Sequence, residues 1–255
     1  MNSNTTSLKI NDNLTLSQNT KGLTFGTDAY LLSAFVSGGS KKRAADLGSG
    51  TGVISLLCQS RGKFAHVYAI EIQNDFAALI EQNAASNFLS DKISAVCSDV
   101  RDVKSSHTDG ELDCVFSNPP YMKVDSGKRN QHDEKFIARH EVYGGIEDFC
   151  ACAYRLLKHG GKFYTVWRPD RLTDIICALR NNRLEPKNIV FVHAHPNAHP
   201  SMVLIESMKG GASGNKLHRP LYLSLNAEDS KKNILSPDAQ RIYDTCSFEE
   251  FLQQK

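Results

Sequence analysis

The chain has 255 residues, 40% of them hydrophobic and 23% charged, which supplies a buried core and argues against disorder throughout. That length accommodates one large domain or two small ones, and a single α/β domain is the simpler reading. Thirty Lys and Arg against 28 Asp and Glu leave +2, which excludes wholesale coating of a polyanion, so any such partner must be met by a local surface.

The opening MNSNTTSLKIN lacks the charged-then-apolar layout of a secretion signal, and no window approaches the roughly 20 apolar residues of a membrane span. A cytoplasmic protein with no membrane partner is predicted. The first 42 residues read as a short hairpin or extended segment, followed by a helix from Thr27 to Val36 with Thr27 and Asp28 as capping candidates.

From residue 43 onward apolar runs of strand length alternate with longer amphipathic segments, the pattern of βαβ units and a mainly parallel sheet. The strand candidates are Arg43 to Leu47, Ala65 to Glu71, Ile93 to Asp99, Leu112 to Asn118, Gly161 to Trp167, Lys187 to Ala194 and Ser201 to Met208. Helices are predicted near 52 to 60, 75 to 87, 146 to 158 and 171 to 182, with a short link over 100 to 111. Only six residues join the last two strands, too few for a crossover helix, so these two should pair antiparallel. Residues 122 to 140 are polar and charged without periodicity and read as a mobile loop. A Gly and Ser rich linker over 209 to 220 leads to a short apolar stretch, Leu221 to Leu225, and a polar tail that could end in a helix. There is no internal repeat.

Seven cysteines are an odd number and lie mostly within predicted elements, so a disulfide framework fits poorly. Cys150 and Cys152 form CxC inside a helix, where both thiols cannot face one ion, and they read as buried reduced thiols. His193, His195 and His199 lie on a loop with two prolines and no carboxylate or cysteine cluster nearby, so no metal site is predicted there. Tyr164 and Trp167 read as core.

Asp46 to Gly52 reads DLGSGTG, at the end of a strand and the mouth of a helix. Three glycines let the backbone turn tightly and approach a ligand closely, the context of a nucleotide-type cofactor. Their G-x-G-x-G spacing differs from the dinucleotide fingerprint G-x-G-x-x-G, and no Walker lysine follows. Two further acids, Glu71 and Asp99, end the second and third strands, and ligands of such sheets bind beyond the carboxyl ends. A carboxylate like Glu71 can accept from two ribose hydroxyls, and Asp99 stands where it could accept from an adenine amino group.

The fourth strand ends in Asn118, Pro119, Pro120 and Tyr121. A strand stopped by a turn explains the prolines but leaves the Asn and Tyr without a reason. Those two suit methyl transfer to a planar, conjugated nitrogen, whose delocalised lone pair makes it a poor nucleophile. The Asn118 side-chain oxygen and the Pro119 carbonyl can accept the two N–H bonds while Tyr121 stacks on the flat group.

DLGSGTG resembles the first motif of class I S-adenosylmethionine-dependent methyltransferases, in which the acid helps orient the cofactor's ammonium. NPPY resembles the fourth motif of amino-methyltransferases acting on adenine N6 or glutamine N5. GLTFGTDAYLLSAF, residues 22 to 35, HPSMVLIESMKGG, residues 199 to 211, and RPLYL, residues 219 to 223, are similar to segments of the bacterial tRNA1(Val) (adenine-37-N6)-methyltransferases of the small-domain group. The resemblance implies a Rossmann-like α/β fold with seven strands, mainly parallel, an antiparallel last strand and helices on both faces. It implies an N-terminal segment, 1 to 42, whose helix packs on the cofactor site, a methyltransferase domain, 43 to 225, and a polar C-terminal tail, 226 to 255.

By the same resemblance S-adenosylmethionine would meet Phe25, Thr27, Asp28, Asp46, Leu47, Gly48, Gly50, Gly52, Glu71, Ile72, Asp99, Val100 and Asn118. The implied partner is tRNA and the implied reaction N6-methylation of adenosine 37. Residues 121 to 255 hold 20 basic and 16 acidic side chains against 10 and 12 in residues 1 to 120. Lys123, Lys128, Arg129, Lys135 and Arg139, in the loop after NPPY, are the candidates for phosphate contact, with Lys209, Lys216 and Arg219 in the closing segment. A glutamine N5 enzyme acting on a protein stays open, weakened because only 42 residues precede the first strand, as does an idle cofactor-binding or RNA-binding module.

Overall fold

A computed structural model describes residues 5–11, 14–19, 26–119 and 144–253. The N-terminal segment forms the expected hairpin, β1 (Thr5–Asn11) and β2 (Leu14–Asn19), followed by α1 (Thr27–Phe35). The predicted strands then appear in order as β3 (Gly39–Leu47), β4 (Phe64–Glu71), β5 (Ile93–Cys97), β6 (Leu112–Ser117), β7 (Leu157–Trp167), β8 (Leu184–His193) and β9 (Pro200–Lys209). Between them lie α2 (Val53–Ser60), α3 (Asn74–Ser86), α4 (Ile146–Leu156) and α5 (Leu172–Asn181). The fourth helix ends two residues short of its predicted end because Leu157 already pairs with Leu112 of β6.

The sheet has nine strands where seven were expected. The linker and the apolar stretch after it run along the outer edge of β8 as β10 (Lys216–Leu217) and β11 (Leu221–Tyr222), both parallel to β8. They cover backbone groups that an edge strand would otherwise expose. The order is β10-β8-β9-β7-β6-β3-β4-β5, with β11 also on β8. As predicted, β8 and β9 are antiparallel, and β3 to β7 are parallel to their sheet neighbours among themselves. Strand order reverses between β3 and β6, and ligands of open α/β sheets bind outside the carboxyl ends at such a point.

Both faces of the sheet are covered, so its central strands are apolar on both sides. Ala44, Val67, Phe116, Tyr164 and Leu204 point to the face carrying α1. Ala45, Tyr68, Val115, Phe163 and Ile205 point to the face carrying α4 and α5. Tyr164 and Trp167 are core, as read from the sequence. All seven cysteines are free, and Cys150 and Cys152 are buried in α4.

Asn83 of α3 and Asn87, the residue that caps its C-terminus, fix the hairpin. Asn83 accepts from Ser17 N–H at 2.8 Å and donates to its carbonyl at 3.1 Å, and Asn87 does the same for Thr15 at 2.9 and 2.7 Å. Spaced four apart, the two amides stand on one helix face and act as a strand edge for β2.

The segment from 226 onward is polar in composition, yet it folds into α6 (Ala227–Lys231), α7 (Pro237–Thr245) and α8 (Glu249–Gln253). Ile242, Cys246, Phe248 and Phe251 are buried in the same cluster as α1. Among the described residues no helix is long and apolar enough to cross a membrane.

Candidate active site

β3 ends at Leu47 and the chain turns through Gly48, Gly50 and Gly52 at φ of 68°, 56° and 81°, a region disfavoured for residues with a Cβ. A Cβ on Gly48 would stand 3.1 Å from the Phe149 ring, and one on Gly52 3.2 Å from Ile80, so these two also serve close packing. On Gly50 it would meet nothing within 4 Å. The loop is held from below, with Gly48 and Ser49 N–H donating to the Ile70 carbonyl at 2.9 and 3.0 Å. Gly50 N–H donates to Glu71 Oε2 at 2.9 Å, and Asn83 Nδ2 to the Thr51 carbonyl at 3.0 Å.

The three predicted acids have different surroundings. Asp46 is 1% exposed, and its Oδ2 accepts from Ser55 Oγ of α2 at 2.8 Å. Its Oδ1 is buried with no partner among the described residues. Burial pushes its carboxyl up to about 7, a rise opposed by the Ser55 hydrogen bonds and aided by the charge of Glu71. Glu71, also buried, accepts from Gln73 N–H at 2.9 Å on Oε1, so it already ties the glycine loop to the turn that opens α3. Asp99 lies two residues beyond the end of β5 and is paired with Arg101, whose Nη2 stands 2.5 Å from Oδ2 and whose Nε is 3.0 Å from both oxygens. The Arg101 hydrogen bonds hold its carboxyl below the usual range. Asp99 is therefore one arm of an ion pair and not a lone acceptor, an arrangement the sequence did not foretell. Leu47 and Val100 are buried and Ile72 is half-buried around these acids.

Asn118 follows β6 directly. Ser117 Oγ donates to the Leu47 carbonyl at 2.7 Å, so the residue before Asn118 is bonded to the residue before Gly48. Asn118 Nδ2 donates to Asp28 Oδ2 at 2.9 Å. A carboxylate only accepts, so this bond fixes which arm of the amide is nitrogen and assigns the other arm to the acceptor Oδ1. Pro119 is buried beside it.

The expected capping role of Thr27 and Asp28 is corrected here. Gly26 is the N-cap of α1 and makes no side-chain cap, while Asp28 Oδ1 accepts from the next residue's N–H, that of Ala29, at 2.9 Å. Asp28 lies inside the first turn, too late in the helix to cap it, and its other oxygen is committed to Asn118. Thr27 is exposed.

Phe25, Pro120, Tyr121, Lys123, Lys128, Arg129, Lys135 and Arg139 lie outside the described residues. The cations of the closing segment have structural partners. Lys209 caps the Leu157 carbonyl at 2.6 Å and sits over the Tyr154 ring, Lys216 reaches the Leu252 carbonyl at 3.4 Å, and Arg219 pairs with Asp238 at 2.7 Å. His193 bonds the Ala198 carbonyl through Nδ1 at 2.8 Å, and among the described residues no three metal-ligating side chains converge.

Sequence reasoning missed Ser55, Asn83 and Arg155. Arg155 of α4 donates to the carbonyls of Val100, Arg101 and Val103 at 2.7, 3.2 and 3.1 Å and so shapes the loop that carries Asp99. Its signal was a basic residue in the last turn of a helix whose inner face is buried through Phe149, Cys150, Cys152, Ala153 and Leu156.

A buried carboxylate oxygen without a partner, a second buried carboxylate one strand away and an open approach at Gly50 fit a ligand with a cationic end and a hydroxyl-bearing middle. S-adenosylmethionine has both.

Comparison with known proteins agrees. The profile of the methyltransferase small domain family matches residues 19–176. A tRNA1(Val) (adenine(37)-N6)-methyltransferase of Porphyromonas gingivalis is 30% identical over 187 residues, covering 71% of this chain and 72% of the relative. The enzyme of the same name from Phocaeicola vulgatus is 29% identical over 184 residues, covering 71% and 74%. Among solved structures, a predicted O-methyltransferase from Agrobacterium tumefaciens superposes with a TM-score of 0.69 at 21% identity, over 87% of this chain and 97% of that one. A tRNA methyltransferase from M. jannaschii gives 0.53 at 19% identity, over 83% and 59%. At those identities the likeness concerns the fold.

Proposed function

The chain belongs to the methyltransferase small-domain family, and from that premise we propose that it transfers a methyl group from S-adenosylmethionine to N6 of adenine 37 in tRNA1(Val). The observation that carries this reading is the orientation of Asn118, whose amide nitrogen is committed to Asp28 at the carboxyl end of β6, beside the glycine loop.

The cofactor would supply an electrophilic methyl on its sulfonium. Asp46, the loop at Gly48, Gly50 and Gly52, Glu71 and the Asp99–Val100 turn would hold it, with Leu47 and Ile72 as apolar walls. Phe25, Thr27 and Asp28 join that set by resemblance. Asn118 Oδ1 and the Pro119 carbonyl accept the two N–H bonds of the target amine and direct its lone pair at the methyl, with Tyr121 stacking on the base. As the nitrogen gains positive charge its N–H groups become stronger donors, so both acceptors bind more tightly in the transition state than in the ground state. The methylated nitrogen then loses one proton to solvent, so no strong base is needed. Lys123, Lys128, Arg129, Lys135 and Arg139 would bind phosphate, contributing affinity that falls with salt. An anticodon-loop base also costs less to unstack than one in a duplex.

The test is mass spectrometry of tRNA nucleosides from a strain lacking the gene. N6-methyladenosine should be missing from tRNA1(Val) and restored by the wild-type gene, with the Asn118→Ala gene failing to restore it. Unchanged tRNA, or radiolabel entering a protein instead of RNA, would contradict the reading.

A further inference from the structure

The residue that orients Asn118 sits in the first turn of a helix whose N-cap is Gly26. Asp28 follows Gly26 and Thr27, and α1 starts from a glycine N-cap, which has no side chain to fix the terminal turn. The described structure holds that turn from outside, through the C-terminal segment that lies beyond the family-matched residues 19–176.

The ring of Tyr243, in α7, lies on the ring of Tyr30, with centroids 4.5 Å apart and planes 12° from parallel. Tyr30 Oη donates to the Tyr243 carbonyl at 2.7 Å. Burial pushes the Tyr30 phenol up to about 12, which keeps it a donor across the physiological range. Tyr243 thus engages the first turn of α1 through its ring and its backbone carbonyl, both at Tyr30.

The helix that carries Tyr243 is anchored to the sheet. Ser236 caps it, accepting from Ala239 N–H at 3.1 Å, while its own hydroxyl donates to the Tyr222 carbonyl of β11 at 2.6 Å. Further along, Ser33 Oγ and Cys246 Sγ are 3.6 Å apart and Phe35 packs edge-on against Phe248. A continuous path runs from β11 through Ser236 and Tyr243 to Tyr30 and Asp28, and so to Asn118.

We propose that Tyr243 is a positioning residue that holds the first turn of α1, and with it Asp28, against Asn118. The C-terminal segment is then a brace for methyl transfer. This rests on the reading of Asn118 as the acceptor of the target amine, and the test separates the two.

Two readouts decide it. In the first, the side-chain amide signals of Asn118 in the 15N-labelled protein are assigned by their loss in Asn118→Ala. They should shift or broaden in Tyr243→Ala and in Tyr30→Phe, and stay in place in Tyr243→Phe, which keeps the ring and the backbone carbonyl. Signals indifferent to Tyr30→Phe, a change that keeps the stack and folds even where Tyr243→Ala does not, would overturn the inference whether or not the protein turns over. In the second, turnover on unmodified tRNA should fall about tenfold in Tyr243→Ala with KM for tRNA within about twofold, and return to within about twofold of wild type in Tyr243→Phe. In an Asp28→Ala background Tyr243→Ala should lower kcat no further. Additive losses would show that Tyr243 acts on general stability and overturn the inference. Wild-type protein inactive on tRNA would contradict the functional reading alone, because the amide signals still report the brace.

Discussion

Asp28 Oδ2 and Asn118 Nδ2, 90 residues apart in sequence, are joined by a 2.9 Å hydrogen bond across the carboxyl end of the sheet. The bond turns a freely rotating amide into a directed acceptor, which is what a delocalised amine requires. Asn118→Ala should lower kcat about 100-fold or more while changing cofactor affinity little, because the acceptor it removes gains strength only as the nitrogen becomes cationic. Single-turnover kinetics alongside equilibrium cofactor binding measure both, and equal loss of the two would contradict the assignment.

Asp46 gives a pH dependence of opposite sign for stability and for binding. Its native pKa of about 7 lies above the ordinary carboxylate value, so the folded state favours the protonated form. That contribution to stability is fully present below the unfolded-state pKa and is lost as pH rises to about 7. A cationic ligand at Oδ1 favours the carboxylate instead. Cofactor affinity should therefore rise with pH, by up to about tenfold per unit below the native pKa, and level off above it. Asp46→Asn should flatten both curves, as urea unfolding and calorimetric titration between pH 5.5 and 8.5 would read. A wild-type affinity flat across that window would refute the assignment of the cofactor's ammonium to Asp46.

Arg155 spans three carbonyls of the loop after β5 with one guanidinium. Arg155→Ala leaves the carbonyl of Val103 and that of Val100, itself a buried residue, without this donor, at a cost of about 1–3 kcal/mol in urea unfolding. Arg155→Lys should recover only part of this, since an ammonium lacks the planar fork. Both variants should also weaken cofactor binding through the displaced Asp99–Val100 turn. Full recovery by lysine would mean that charge alone matters there.

The parts legible in the sequence were those set by local chemistry. Strand ends at Leu47 and Glu71, the glycine turn and the antiparallel pairing of β8 with β9 follow from periodicity, glycine spacing and loop length, and each lies where predicted. What escaped depends on contacts between distant segments. Asp28 looked like a cap because acids commonly stand at helix starts, and only the fold brings Asn118 to it. Asp99 looked like a single acceptor because its pairing with Arg101 depends on how the loop is bent around Arg155. The C-terminal segment looked like a tail because Ile242, Cys246, Phe248 and Phe251 are thinly spread through polar sequence and form a stripe only when α7 and α8 are laid on α1.

Gly50 and Gly62 separate backbone strain from cofactor contact. Both have positive φ, 56° and 62°, and at both a Cβ would find nothing within 4 Å. Alanine at either position bears the same left-handed penalty, about 1–2 kcal/mol, and should lower the unfolding midpoint in urea by a similar amount. Gly62 lies after α2, at the end of the helix away from the glycine loop, so Gly62→Ala should leave cofactor affinity where it was. Gly50→Ala places a methyl in the space where the loop would meet the cofactor and should weaken binding by about tenfold or more, beyond anything its stability loss explains. Equal cofactor affinities in the two variants would show that the open side of Gly50 is not the cofactor's path.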